Sequence, residues 1–421
     1  MGVNENAPAQ YSNSNLTLET FKEIFEKCNK DVVIESIEEA QGSGRGDNYT
    51  ATLYRVHLHG YCKRNKSKWE KSVICKRLPD NIARREAYNS VQLFCNEVRF
   101  YTSIMPELVN FQRMKTAEVF KAMPQHYLAE NDLLIMEDLR TKGFKMADRK
   151  AGLTLSECKF ALKQIAVLHS LSLSYKFERP KQFEKLKAVV KEQIFCKDNE
   201  NWYKDYYTQL TKNALAMVSD VLPKSSKYIE KLREFVESST FFNHMIELVS
   251  KESFLSVICH GDCWTNNFLY RYDDKGEVLE MSFVDFQLIR YGSAALDVAD
   301  IVFCCINKEM RDEHLESLLQ IYVNEFYKTL KSLTTLPDII NTESKCLEVF
   351  KLELKSFGKF ALGIALDIVP ISTCSPEDAP DLYLEKADET YAAPTLNFPP
   401  NDLCKRKFCE IVIDLVDSEI L

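Results

Sequence analysis

The chain has 421 residues, 45% hydrophobic and 28% charged, with a formal net charge of −8. This balance excludes collagen-like, low-complexity and wholly disordered classes. It also argues against a general nucleic-acid or membrane-surface binder, which would need a basic footprint. Glycine is scarce: there are 12 residues, where average usage gives about 29. Yet Gly42, Gly44 and Gly46 fall together, which points to a backbone that needs freedom there.

Residues 1–15, rich in Asn, Ser, Pro and Ala, read as disordered and carry no apolar signal-peptide core. Asn6 stands where myristoylation wants Ser or Thr. The 14 cysteines are scattered, with no CxxC pair. The expectation is a cytoplasmic protein with reduced thiols. The longest apolar runs fall short of the ~18 residues that span a bilayer.

Leu18–Lys30 has helical periodicity. From Val32 the pattern turns to strand, and Tyr54, Val56 and Leu58 alternate with Arg55, His57 and His59. Lys63–Lys71 reads as a hairpin loop, Ser72–Arg77 as a strand, 83–104 as a helix and Leu133–Met136 as a short strand. Thr154-Leu-Ser-Glu157 matches a capping box before an apolar run. Charged amphipathic segments fill 182–250, a β island covers 254–289, and helices resume near Leu296, with a Pro-rich loop around 376–400. A small β-rich region therefore precedes a larger helical one.

Four places carry chemistry. His260-Gly-Asp-Cys-Trp-Thr-Asn-Asn267 follows a strand, and the turn Asp273–Gly276 returns the chain to Val284-Asp285-Phe286-Gln287. Counted from that turn, Asn267 and Asp285 stand about three residues off level, and Asp262, Asn267 and Asp285 converge at one end of a small β unit. Hard oxygen ligands of this kind suit Mg²⁺, leaving one Asp to accept or orient a hydroxyl proton. The cluster of Gly42, Gly44 and Gly46 lies between two strands, where its backbone N–H groups can approach phosphates. It is neither a Walker loop nor a dinucleotide fingerprint. Lys76 sits inside a strand and wants a counter-charge. Glu97, on an apolar helix stripe with Phe94, Val98 and Tyr101, can supply one. Leu133-Leu-Ile-Met-Glu-Asp-Leu139 stands where β gives way to α, and offers a backbone edge to an adenine through Met136, Glu137 and Leu139.

The order of these parts is that of a two-lobed kinase. The sequence resembles the ecdysteroid kinase-like family, itself similar to choline kinases and aminoglycoside phosphotransferases. The resemblance rests on CHGDCWTNN (259–267) and FVDFQLIRYGSAALDVADI (283–301). LLIMEDL (133–139), LHSLSL (168–173) and NEVRFY (96–101) support it. It implies an α+β, bilobal protein-kinase-like fold, with a small β-rich N-lobe over 16–138 and a large, mostly helical C-lobe over 139–421. It implies ATP and Mg²⁺, with Asp262 catalytic, Asn267 and Asp285 on the metal, and Lys76 on the phosphates and paired with Glu97. Gly42, Gly44 and Gly46 would cover the phosphates, and His260 would brace the loop. His169 and Asp297 would be structural. The implied partner is a small-molecule alcohol, steroid-like or phenolic, in a pocket walled by helices after residue 150. A choline- or aminoglycoside-type kinase and a nucleotide-binding pseudokinase stay open. A protein kinase is disfavoured: HGD lacks the arginine of H-R-D, Gln287 replaces the glycine of D-F-G, and no A-P-E follows. Gly46 follows Gly44 by two residues, where the kinase pattern has three.

Overall fold

The computed structural model describes residues 16–42, 50–87, 89–130, 132–237, 240–375 and 400–421. Gly44, Gly46, residues 1–15 and the Pro-rich stretch up to 399 lie outside the described residues. The described chain divides into two compact units. One takes the residues up to 98 and 125–138; the other takes 99–124 and those from 139 onward.

The first unit begins with α1 (Leu18–Cys28), whose cap Thr17 accepts the Thr20 N–H at 3.3 Å. Strands β1 (Val32–Gln41), β2 (Thr52–Cys62) and β3 (Lys68–Arg77) follow. Val56 and Leu58 are buried while their neighbours Arg55 and His57 are not, the alternation expected of a strand with one face on a core. Phe21 and Phe25 of α1 pack on that face with Ile34, Val73 and Ile135. The loop expected over Lys63–Lys71 is shorter, because β3 already starts at Lys68. Trp69 packs against the core, and Lys71 lays its ammonium 4.7 Å from the Tyr127 ring centre. Charge here belongs to side chains that snorkel from a strand.

The single helix expected over 83–104 is two, α2 (Ile82–Ala87) and α3 (Ser90–Arg99). Asn89, at φ +50°, stands between them. Next comes a π-helical turn (Phe100–Ile104) and α4 (Met105–Arg113). Residues 99–124 fall in the second unit, although the sequence places them in the β-rich region. There Phe111 meets Tyr175 edge-on at 5.3 Å, and Glu107 accepts from the Tyr175 hydroxyl at 3.2 Å. The chain then returns for β4 (His126–Ala129) and β5 (Leu133–Glu137), completing an antiparallel sheet of order β1-β2-β3-β5-β4.

The second unit is mostly helical. It contains β6 (Lys145–Met146), α5 (Leu155–Glu178), α6 (Pro180–Val189), α7 (Glu200–Val221), α8 (Lys227–Val236) and α9 (Phe241–Ser250). After these come β7 (Ser256–Cys259), β8 (Phe268–Tyr272), β9 (Val278–Phe283), β10 (Arg290–Ser293) and α10 (Ala295–Ala299). A π-helical turn (Asp300–Cys304) leads to α11 (Lys308–Leu333), α12 (Glu343–Phe357), α13 (Phe360–Thr373) and α14 (Asp402–Asp417). The capping box forms at α5: the Glu157 N–H reaches Thr154 Oγ1 at 3.3 Å and Thr154 N–H reaches Glu157 Oε2 at 2.7 Å. Two small sheets, β10-β7 and β6-β8-β9, carry the motif loops. The architecture is the expected α+β class, an antiparallel sheet with helices in one unit and mostly helix in the other.

Candidate active site

β7 delivers the chain to His260-Gly-Asp262, and the loop is held chiefly through its backbone. The carboxylate of Asp297, on α10, takes the His260 N–H at 2.7 Å and the Gly261 N–H at 3.0 Å. Its Oδ2 also meets His169 Nε2 of α5 at 3.1 Å, and His169 Nδ1 meets the Tyr322 hydroxyl at 2.9 Å. Burial alone would raise the Asp297 pKa, but the His169 hydrogen bond and neighbouring positive character outweigh it and hold it below the ordinary value. His169, Cys259 and Asp297 offer three potential metal ligands within 4.8 Å of one another. The His and Asp are spent on these hydrogen bonds, and burial pushes the Cys259 thiol well above its usual range, so the group reads as a latch.

Gly261 is required by shape. Its φ is +83°, and a Cβ there would lie 1.8 Å from the Leu288 carbonyl oxygen. Next to it, His260 Nδ1 accepts the Asp262 N–H at 3.3 Å, which leaves Nε2 to donate to the Val284 carbonyl at 3.1 Å. Burial lowers the His260 pKa and favours this neutral form. The ring therefore braces two loops at once.

Asn267 closes the loop. Its Nδ2 donates to Asp262 Oδ2 at 2.8 Å and to the Asp262 carbonyl at 3.0 Å. Its own carbonyl accepts the Val284 N–H at 3.0 Å. This last contact corrects the level of the hairpin. Phe268 pairs with Phe283, so Asn267 stands opposite Val284, and Asp285 is one residue off level, not three. The difference arises at a register shift between Arg271 and Tyr272 and in a wider turn, where Asp273 accepts backbone N–H groups from Lys275 and Glu277.

Asp285 adopts the left-handed conformation, φ 65° and ψ 70°, which costs a non-glycine residue of order 1 kcal/mol. Its neighbours enforce it. Val284 is pinned at both its N–H and its carbonyl, and the buried Phe286 stacks on Phe100 at 3.8 Å and 12°. Asp262, Asn267 and Asp285 are thus brought together within one unit.

The remaining candidates lie mainly in the other unit. Lys76, on β3 opposite Leu53 and Leu134, donates to Glu97 Oε2 of α3 at 2.6 Å. The two side chains are 2% and 1% exposed, so this ion pair is cut off from water. Gly42 hands its N–H to the Leu53 carbonyl at 2.8 Å and extends the β1–β2 ladder. Met136 pairs with Ile74 in the sheet, and the Glu137 N–H is engaged by the Gln125 carbonyl at 2.8 Å. Leu139 is buried at the start of a 3-10 turn in the second unit.

Three residues were not singled out as candidates. Asp138, inside LLIMEDL, accepts from Arg55 Nε and Ser72 Oγ, both at 2.7 Å, and ties three strands at one end. Arg290, wholly buried, donates to the Gly261 carbonyl at 3.1 Å and pairs with Glu192 at 2.7 Å. Asp300 is buried with neither carboxyl oxygen hydrogen-bonded, and desolvation pushes its pKa well above the ordinary carboxylate value. The quoted motif FVDFQLIRYGSAALDVADI already contains Arg290 and Asp300, but only the fold shows that both side chains are buried.

No curated protein sequence matches significantly. Among solved structures, the chain is similar to a Plasmodium vivax ethanolamine kinase, at 13% identity, 86% coverage of both chains and a TM-score of 0.41. It is also similar to a choline kinase from Cryptosporidium parvum, at 12% identity, covering 95% of this chain and 98% of that one, TM-score 0.44. A ternary complex of APH(2″)-IIa with streptomycin and ATP matches at 12% identity over 85% and 90% of the two chains, TM-score 0.29. Residues 45–335 match the ecdysteroid kinase-like family, and the chain belongs to that family.

Proposed function

We propose that the protein transfers a phosphoryl group from ATP to a hydroxyl of a small lipophilic molecule, an ecdysteroid or another lipophilic or xenobiotic alcohol. The observation that carries this reading is the Asp262–Asn267 clamp, a carboxylate held by side-chain and backbone contacts next to Asp285. Phosphoryl transfer asks little covalent chemistry of a protein and much positioning. Asp262 accepts or orients the acceptor's hydroxyl proton. Asn267 fixes the Asp262 rotamer by donating to its Oδ2. The donor set of Asn267 and Asp285, an amide oxygen and a carboxylate, is of the hard type that fits Mg²⁺, and these residues would hold it. When bound, the ion supplies charge neutralisation at the transferred group. Lys76, oriented by Glu97, is the cation for the nucleotide phosphates, and the backbone around Gly42, Gly44 and Gly46 approaches them. Met136, Glu137 and Leu139 form the adenine edge.

The test is Asp262→Asn, assayed for transfer from ATP against ecdysteroids, plant phenols, choline and amino sugars, with the product identified by mass. Asn is isosteric with Asp, so the melting temperature should hold while turnover falls by at least about 10³-fold. Full turnover in the variant would remove Asp262 from this role.

A further inference from the structure

α13 is the most apolar stretch of the second unit, FALGIALDIVPIST, and Asp367 is its single charged residue. The carboxyl faces α7. There the Tyr206 hydroxyl donates to Asp367 Oδ1, and the Tyr207 hydroxyl also stabilises the carboxylate. Tyr203, Tyr206 and Tyr207 form a connected aromatic wall, with ring centres 6.1 Å apart for Tyr203–Tyr207 and 5.2 Å for Tyr206–Tyr207. Asp367, Tyr203 and Tyr206 are half-buried residues. No Lys, Arg or His among the described residues pairs with Asp367.

A carboxylate taken this far out of water ordinarily finds a cation. Burial pushes the Asp367 pKa up to about 6, which leaves it ionised at neutral pH. Two tyrosine hydroxyls use only part of its acceptor capacity. A buried carboxylate that no cation among the described residues compensates, fenced by tyrosine hydroxyls that already donate to it, fits an ammonium group. Arg290 donates to the Gly261 carbonyl and pairs with Glu192, and burial, then the charges of Asp367 and Glu192, raise the Tyr203 pKa.

We propose that Asp367, fenced by Tyr203, Tyr206 and Tyr207, is a binding site for a protonated amine, and that the acceptor is an amphipathic amino alcohol whose ammonium docks there. The binding site rests on the geometry just described; the identification with the acceptor rests on the phosphotransferase reading above.

The test uses a matched pair of probes, 6-amino-1-hexanol and 1,6-hexanediol, titrated into the full chain without nucleotide and followed by ligand-observed NMR. At pH 7.5 the amino alcohol should bind at least tenfold tighter than the diol. Asp367→Asn should abolish that preference, and Tyr206→Phe should reduce it. In the unmodified protein the preference should fade between pH 7 and 5, as Asp367 takes up its proton. Tyr203 and Tyr207 stay neutral over that range because burial raises their pKa values, and Glu192, held low beside Arg290, stays ionised. Cys196, raised by burial, also stays neutral. The pH series needs no variant, so a misfolded Asp367→Asn protein leaves the test intact. Equal affinity for the two probes, or a preference that survives both the variant and pH 5, overturns the proposal. Binding is read without transfer, so a protein inactive toward every alcohol while still preferring the amine would refute the kinase reading and keep the site. Transfer restricted to neutral acceptors, with the amine preference intact, would detach the site from the acceptor.

Discussion

Asp297→Ala removes one side chain and orphans several groups. The carboxylate accepts the His260 and Gly261 N–H groups at 2.7 and 3.0 Å and meets His169 at 3.1 Å, all fully buried. An orphaned buried donor costs about 1–3 kcal/mol, so two backbone donors, allowing for partial relaxation, put the loss at about 4 kcal/mol. Unfolding entropy of about 2.1 cal/mol/K per residue gives a unit of roughly 300 residues about 0.6 kcal/mol/K. The melting temperature should therefore fall by about 7 °C. The pH dependence follows from the lowered pKa of Asp297. A carboxyl whose folded pKa is depressed contributes stability above its unfolded value of 3.8 and loses it as pH falls through the folded one. The gap between the two proteins should stay level from pH 7.5 to 5 and narrow only below about 4. Calorimetry at several pH values measures both features. A melting temperature within about 1 °C of the unsubstituted protein at pH 7.5, or a gap that closes already between pH 7 and 5, would refute the latch.

Two further outcomes are expected. Gly261→Ala forces a Cβ to within 1.8 Å of the Leu288 oxygen at a positive φ; it should cost several kcal/mol, of order 3 or more, and lower both stability and turnover, whereas an unchanged melting temperature would show that the loop relaxes freely. Lys76→Met leaves the Glu97 carboxylate buried at 1% exposure and should destabilise by about 3–5 kcal/mol; a double-mutant cycle with Glu97→Gln should give a coupling above about 1.5 kcal/mol, and additive single effects would deny the pair.

Much of the site was legible because its signals are local. HGDCWTNN and VDFQ are short runs whose residue types already narrow the chemistry, and the capping box at Thr154 formed as written. The strand alternation around Val56 was legible for the same reason. What escaped was set by distance along the chain or by single-residue irregularities. The register shift at Arg271/Tyr272 moved Asp285 almost level with Asn267, and no residue type announces it. Lys71 looked like loop because charge dominates its neighbourhood, while its partners Phe25 and Tyr127 lie far away in sequence. Asn89 split a helix whose apolar periodicity continued across it. Asp367 carries no local sequence signal, because its partner Tyr206 lies on α7, far away along the chain.

Almost every contact that shapes the Asp262 loop is made to backbone. Asp297 grips the N–H groups of His260 and Gly261, Gly261 packs on the Leu288 carbonyl, and Val284 is held by Asn267 and His260. The Asp262 and Asp285 carboxylates, proposed above for the chemistry, are passengers on this frame. Under the proposed role of Asp262, chemistry and fold can be lost separately: one substitution there is expected to silence transfer and leave the loop's frame in place. A descendant gene could thus become a carrier or sensor in a single mutational step, whereas losing Asp297 would forfeit the loop and the activity together.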